Sequence, residues 1–222
     1  DEAIRLDPNL TAWYRKGIAF YYQGKYEEAI TCFDEAIRFD PSDPLPWFMK
    51  GIALYDQGKY NESIQAYDET IRLDPRNAEA WREKGNALDE LGRSDEAVAC
   101  YNESIRLDPK FPDTWNDKGI TLYDQGKYNE SLQAYDEAIS LDPNFAWPWH
   151  NKGIVLYDQG KYNESIQAYD EAIRLDPYYA DAWNDKGNAL YNQGKYNESI
   201  QSYDEAIRRD PNFAWPWHNK GF

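Results

Sequence analysis

WPWHNKGIVLYDQGKYNESIQAYDEAIRLDP, residues 147–177, decides how the whole chain is read. Nearly every other segment is a near copy of it. Trp13, Trp47, Trp81, Trp115, Trp149, Trp183 and Trp217 fall 34 residues apart. A Lys-Gly pair follows each of them at the same distance, from Lys16-Gly17 to Lys220-Gly221. A constant period in this range marks a repeat architecture, in which one supersecondary unit is stacked on copies of itself.

Within a unit, numbered so that its Trp is fourth, Trp149, Gly153 and Leu156 recur at i, i+4 and i+7, one face of a helix. Gly160 stops that helix, since glycine takes a positive φ cheaply after the last turn. Asn163 is placed to cap a second helix. That helix carries Ser165, Ile166, Tyr169, Ala172 and Ile173 on one stripe, and Asp176-Pro177 closes it, because proline cannot continue a helix from inside. Two helices of about 12–14 residues, each roughly 18–21 Å long, are predicted. Pro46, Pro148 and Pro216 directly precede a Trp, where a first-turn proline suits a helix start. A mid-helix glycine costs about 1 kcal/mol relative to alanine. Its return in every unit predicts that the two helices approach closely there.

A helix-turn-helix unit of this length, with Trp, Gly, Ala/Ser, Tyr/Phe, Ala and Pro at these offsets, resembles the tetratricopeptide repeat (TPR). The resemblance covers essentially the whole chain. It implies an all-α fold, a right-handed superhelical α-solenoid. It also implies a concave groove lined by the first helices, where a protein or peptide partner binds. One departure is systematic: the residue before the mid-helix glycine, usually Leu in the family, is always Lys here.

The units run 10–43, 44–77, 78–111, 112–145, 146–179 and 180–213, with partial units at 1–9 and 214–222, and are expected to form a single array over 1–222. Residues 142–153 and 210–221 are identical, which points to duplication of a two-unit block. Neither end carries the polar capping helix that arrays need for solubility. The chain therefore reads as a piece of a longer array, and end-to-end self-association is expected.

Net charge is −16 and the pI near 4.5, which argues against nucleic acid and anionic membranes as partners, since both reward Lys/Arg clusters. No apolar run approaches the roughly 20 residues of a membrane span. Cys32 and Cys100 occupy the same position two units apart, beyond disulfide reach, where Ala66, Ala134 and Ala168 stand in other units. They read as small buried residues and suit a reducing, cytoplasmic compartment.

No nucleophile–base set stands out, no cofactor is expected, and the carboxylates repeat with the units, so the chain is not read as an enzyme. His150 and His218 are copies two units apart, too far for one metal ion, and read as solvent-facing groove residues. Asn-Glu-Ser begins at Asn61, Asn102, Asn129, Asn163 and Asn197. Each is formally a glycosylation acceptor. The plainer reading is that four of these Asn cap helices and that the Ser is the small residue the helix contact requires. Asp170 and Arg174 are placed for an i,i+4 ion pair on a solvated face.

In the TPR resemblance, positions 2, 5, 6, 9, 12 and 13 face the groove, and here they vary while the framework does not. Position 5 supplies Tyr14, Phe48, Arg82 and His150. Position 9 supplies Ile18, Ile52, Asn86, Ile120, Ile154 and Asn188. Position 12 supplies Tyr21, Tyr55, Tyr123, Tyr157 and Tyr191, and the acids Asp56, Asp124 and Asp158 follow at position 13. Trp147 stands at position 2. A carboxylate clamp of the kind some TPR proteins use for acidic peptide termini is echoed by Arg82 and Asn86, but Asp117 stands where Asn is expected and the lysines are missing. These residues instead suggest a groove that prefers a basic, aromatic- or aliphatic-bearing segment. Two competing readings are an inert wall, in which Tyr and Asp satisfy each other, and a recognition array attached to a catalytic domain outside this chain.

Overall fold

A computed structural model describes residues 8–211. The chain divides into two compact units, residues 1–109 and 110–222. The first contains α1 (Pro8–Tyr21), α2 (Tyr26–Phe39), α3 (Pro44–Asp56), α4 (Tyr60–Leu73), α5 (Ala78–Glu90) and α6 (Ser94–Leu107). The second contains α7 (Pro112–Asp124), α8 (Tyr128–Leu141), α9 (Ala146–Asp158), α10 (Tyr162–Leu175), α11 (Ala180–Asn192) and α12 (Tyr196–Arg209). Within each compact unit every helix packs on the next, as a helical solenoid does. The first helices of successive repeats also touch: α1 with α3, α3 with α5, α7 with α9, and α9 with α11. The side on which they meet is called the inner face below.

The turn inside each repeat follows from one glycine. Gly160 has φ of 72°, its N–H donates to Tyr157 O at 2.8 Å, and the Lys161 N–H donates to Leu156 O at 2.9 Å. This is a Schellman closure, which satisfies carbonyls that a helix end otherwise leaves bare. It brings in the second helix earlier than expected. That helix starts at Tyr162 with Lys161 at the cap and no side-chain cap bond. Asn163 lies inside the first turn instead of capping it, as do Asn61, Asn129 and Asn197 in their helices.

The mid-helix glycine is explained by an aromatic ring. A Cβ added to Gly153 would sit 2.4 Å from Tyr169 Cε1, and the same holds at 2.5 Å for Gly51 against Tyr67. Tyr67, Tyr101, Tyr135, Tyr169 and Phe33 are the largest fully buried side chains. Each ring occupies the space the missing side chain leaves. Ser63, Ser131, Ser165 and Ser199 tighten this contact, donating their hydroxyls to the carbonyls of Gly51, Gly119, Gly153 and Gly187 at 2.7–2.9 Å.

The lysine that departs from the family pattern has its own work. Lys50, Lys84, Lys152 and Lys186 reach Asp34, Asp68, Asp136 and Asp170 of the preceding repeat's second helix at 2.5–2.6 Å. Each ammonium also lies 5.3–5.5 Å from the centre of the Trp ring one turn earlier. Asp170 is thereby committed, and Arg174 pairs with Glu171 at i,i+3 rather than with Asp170. Cys32 and Cys100 are buried free thiols. Among the described residues no helix is long and apolar enough to cross a membrane. The terminal segments on which the end-to-end expectation rests, and His218 with them, lie outside the described residues.

Candidate ligand-binding face

In each compact unit the inner face is built from positions 9, 12 and 13 of the first helices. Its main device is a set of hydrogen-bonded rungs between consecutive repeats. Tyr21 donates to Asp56 Oδ2 at 2.6 Å, Tyr123 to Asp158 Oδ2 at 2.5 Å, and Tyr55 more weakly to Glu90 Oε1 at 3.4 Å. In a fourth rung Asn192 Nδ2 donates to the Tyr157 hydroxyl at 2.6 Å. All four span 35 residues, one repeat plus one. The Tyr123 hydroxyl is held well above its ordinary range by its bond to Asp158 and by burial. Each position-12 ring also meets the Tyr that opens the second helix, as Tyr157 does Tyr162 at 5.5 Å between centres. Tyr191 is exposed, as are Asp56, Asp124 and Asp158.

Position 5 does not face solvent in the way expected. Phe48 and His150 are buried, and Tyr14 is half-buried. The ring that fills the glycine gap extends beneath them: Tyr14 meets Phe33 at 6.1 Å, Phe48 meets Tyr67 at 5.9 Å and His150 meets Tyr169 at 5.6 Å between centres. His150 is held at both nitrogens, by Asp185 Oδ2 at 2.9 Å and by the Tyr179 hydroxyl at 2.9 Å. Neither Tyr179 nor Asp185 is near His150 in sequence, so periodicity alone could not pair them.

Arg82 and Asn86 are also engaged internally. Arg82 pairs with Glu83, and Asn86 donates to Glu83 while accepting the Tyr101 hydroxyl at 2.8 Å. Asn188 accepts the Tyr203 hydroxyl at 2.8 Å in the same way. A position-9 Asn is thus the acceptor for a buried position-24 Tyr. Where position 9 is Ile, as at Ile52, this acceptor is missing, and the buried Tyr67 hydroxyl has no hydrogen-bond partner. Ile18, Ile52 and Ile154 are half-buried, whereas Ile120 and Trp147 are exposed, Trp147 by 59%. Among the described residues no cluster of His, Cys, Asp and Glu is arranged to hold a metal ion.

The comparisons with known proteins agree with this geometry. A family profile described as Tetratricopeptide repeat matches residues 48–112 and 150–212. A second, described as TPR repeat, matches 17–58 and 119–160, and a third, again Tetratricopeptide repeat, matches 100–133. The chain belongs to the tetratricopeptide repeat family. A search of curated proteins gave no match. Among solved structures it is similar to PilW, a type IV pilus biogenesis factor, at 14% identity and TM-score 0.85, over 96% of this chain and 99% of that one. It is also similar to Pseudomonas aeruginosa PilF at 17% identity and TM-score 0.80, over 96% of both chains. YrrB, described as a TPR protein with an unusual peptide-binding site, is 21% identical with TM-score 0.65, over 86% of this chain and 98% of that one. At these identities the likeness carries the fold. Fold and family together define a protein-interaction scaffold.

Proposed function

We propose that the chain is a non-enzymatic scaffold whose inner face takes up a basic protein segment bearing aromatic or aliphatic residues. One observation carries this reading. Four lysines of the first helices, Lys50, Lys84, Lys152 and Lys186, are bonded to carboxylates on the second helix of the preceding repeat. On the inner face, Asp56 and Asp158 accept hydrogen bonds only from tyrosine hydroxyls, which are neutral donors. Their negative charge is left for a partner, and complementary potentials speed encounter and exclude like-charged competitors. Ile120, Trp147 and Tyr191 supply exposed apolar surface beside it. YrrB's described peptide binding is a precedent in the same fold.

Affinity capture with the chain tests the proposal. Captured segments should be rich in Lys and Arg, and binding should weaken as salt is raised. Replacing Asp56, Asp124 and Asp158 together by Asn should weaken it at least tenfold. A ligand that binds this variant equally well, with no salt dependence, would refute the electrostatic reading.

A further inference from the structure

Asp185 lines a small cavity on the inner face of the second compact unit. The cavity, of about 200 Å³, lies among α9, α10 and α11 and is lined by Ile154, Tyr157, Asp158, Tyr169, Asp185 and Asn188. Sites for whole small molecules are usually larger, about 300–1,000 Å³. This one has the dimensions for a single side chain.

Its walls are unusual in three respects. First, two carboxylates line it, and neither meets a lysine or arginine: Asp158 is bonded to Tyr123, and Asp185 to His150, Asn184 and Asn188. The three bonds to Asp185 fix its carboxylate in place. Second, Tyr169 is 1% exposed, and Ile154 stands where Asn86 and Asn188 accept the equivalent tyrosine hydroxyls. The Tyr169 hydroxyl is left with the Ser165 hydroxyl, which itself donates to Gly153 O. Burial, then the charge of Asp185, keeps that phenol protonated far above its usual range. Third, Tyr157 lines the cavity as well, and aromatic rings attract cations.

The corresponding places elsewhere lack this combination. Next to Ile52, Glu83 is neutralised by Arg82. Next to Ile120, Asn151 stands in the place of Asp185 and is bonded to Asn116. Met49 takes that place in the repeat following Ile18.

We infer that this cavity receives one lysine or arginine side chain of the bound segment, its cationic head between Asp158 and Asp185 and its stem on Ile154. The inference rests on the proposed function and assigns its specificity to one place. The test uses the full chain with isotope-labelled Ile methyl groups. The probes are acetylated, amidated Gly-Leu-Lys-Leu-Gly and its Arg and norleucine counterparts. The Ile154 methyl signal should shift saturably with the Lys or Arg peptide and not with norleucine. Asp185→Asn and, separately, the exposed Asp158→Asn should each weaken that response at least fivefold. Shifts confined to Ile52 or Ile120 would overturn the pocket and leave the wider face standing. No shift at any of these isoleucines would overturn both readings. An equal response to norleucine would reduce the site to an apolar contact and overturn the inference.

Discussion

Tyr123 gives its hydroxyl proton to Asp158 at 2.5 Å, across the junction between two consecutive repeats. The Tyr-Asp pairs adjacent in sequence are therefore not the pairs that bond; Tyr21, Tyr55 and Tyr123 each bond forward to an acid of the next repeat. Tyr123→Phe should cost about 0.5–1.5 kcal/mol, the net worth of one hydrogen bond, in urea unfolding. Asp158→Asn keeps an acceptor and should cost less. Equal stability of Tyr123→Phe and the parent would show the rung to be slack.

Buried tyrosines one position apart in chemistry should respond in opposite ways to losing their hydroxyls. Tyr101 donates to Asn86, whereas the Tyr67 hydroxyl is buried beside Ile52 without a partner. Tyr101→Phe should destabilise by about 1 kcal/mol, and Tyr67→Phe should be neutral or stabilising, because an unsatisfied buried hydroxyl is removed. The chain already holds the second solution in the pair Ile18 and Phe33. A loss in Tyr67→Phe as large as in Tyr101→Phe would contradict this account.

Alkaline pH should unfold the protein steeply. Burial is the first cause raising Tyr21, Tyr55, Tyr67, Tyr135, Tyr169 and Tyr179, and the bond to Asp158 is the first cause for Tyr123. A group raised in the folded state binds its proton more tightly there. Its stabilisation is complete below the unfolded value, about pH 10 for tyrosine, and is lost as pH climbs toward the folded value. Tyrosinate absorbance and loss of helical circular dichroism should therefore rise together above about pH 10. Tyrosinate signal from most rings with helicity intact would rule this out.

Cys100 should resist alkylation. Burial pushes its thiol up to about 11, so the reactive thiolate is scarce near neutrality. Iodoacetamide should label it slowly in the native chain and quickly in urea. Fast native labelling at pH 8 would show that this site opens readily.

Gly153→Ala sets two known effects against each other. Alanine gains about 1 kcal/mol in helix propensity. Its Cβ, 2.4 Å from the buried Tyr169 ring, demands a shift of the kind that costs about 1–3 kcal/mol. Packing should win, with a net loss of about 1–2 kcal/mol that a Tyr169→Leu background relieves. Gain of stability on Gly153→Ala would mean the ring moves aside freely.

The period, the helix pair, the positive-φ glycine and the close approach at Gly153 were all legible, because each is a local rule repeated in every unit. What was not legible depends on neighbours 16 or 35 residues away. Lys50 finds Asp34, and Tyr21 finds Asp56, only once repeats are stacked. Position 5 was misplaced because a helical wheel shows direction but not what covers it. The ring in the glycine gap spreads beneath Phe48 and His150 and takes them out of solvent. Arg209 donates to Pro177 O at 2.7 Å, contacts Glu205 and lies over the Tyr178 ring. Its partner is a backbone carbonyl, which carries no sequence signal.

The glycine that breaks the helix rule also alters where each repeat can open. Glycine is ordinarily the softest point of a helix. Here the Gly51 carbonyl takes a second hydrogen bond from Ser63, and the Tyr67 ring covers the Cα. Backbone amides around Gly51, Gly119, Gly153 and Gly187 should therefore exchange slowly with solvent. The turn glycines of the same repeats, Gly58, Gly126, Gly160 and Gly194, are exposed, and a Cβ added there would meet nothing within 4 Å. Local opening starts at such lightly held points. A repeat of this kind frays from its turns inward, and its most flexible residue type marks both the first and the last places to let go.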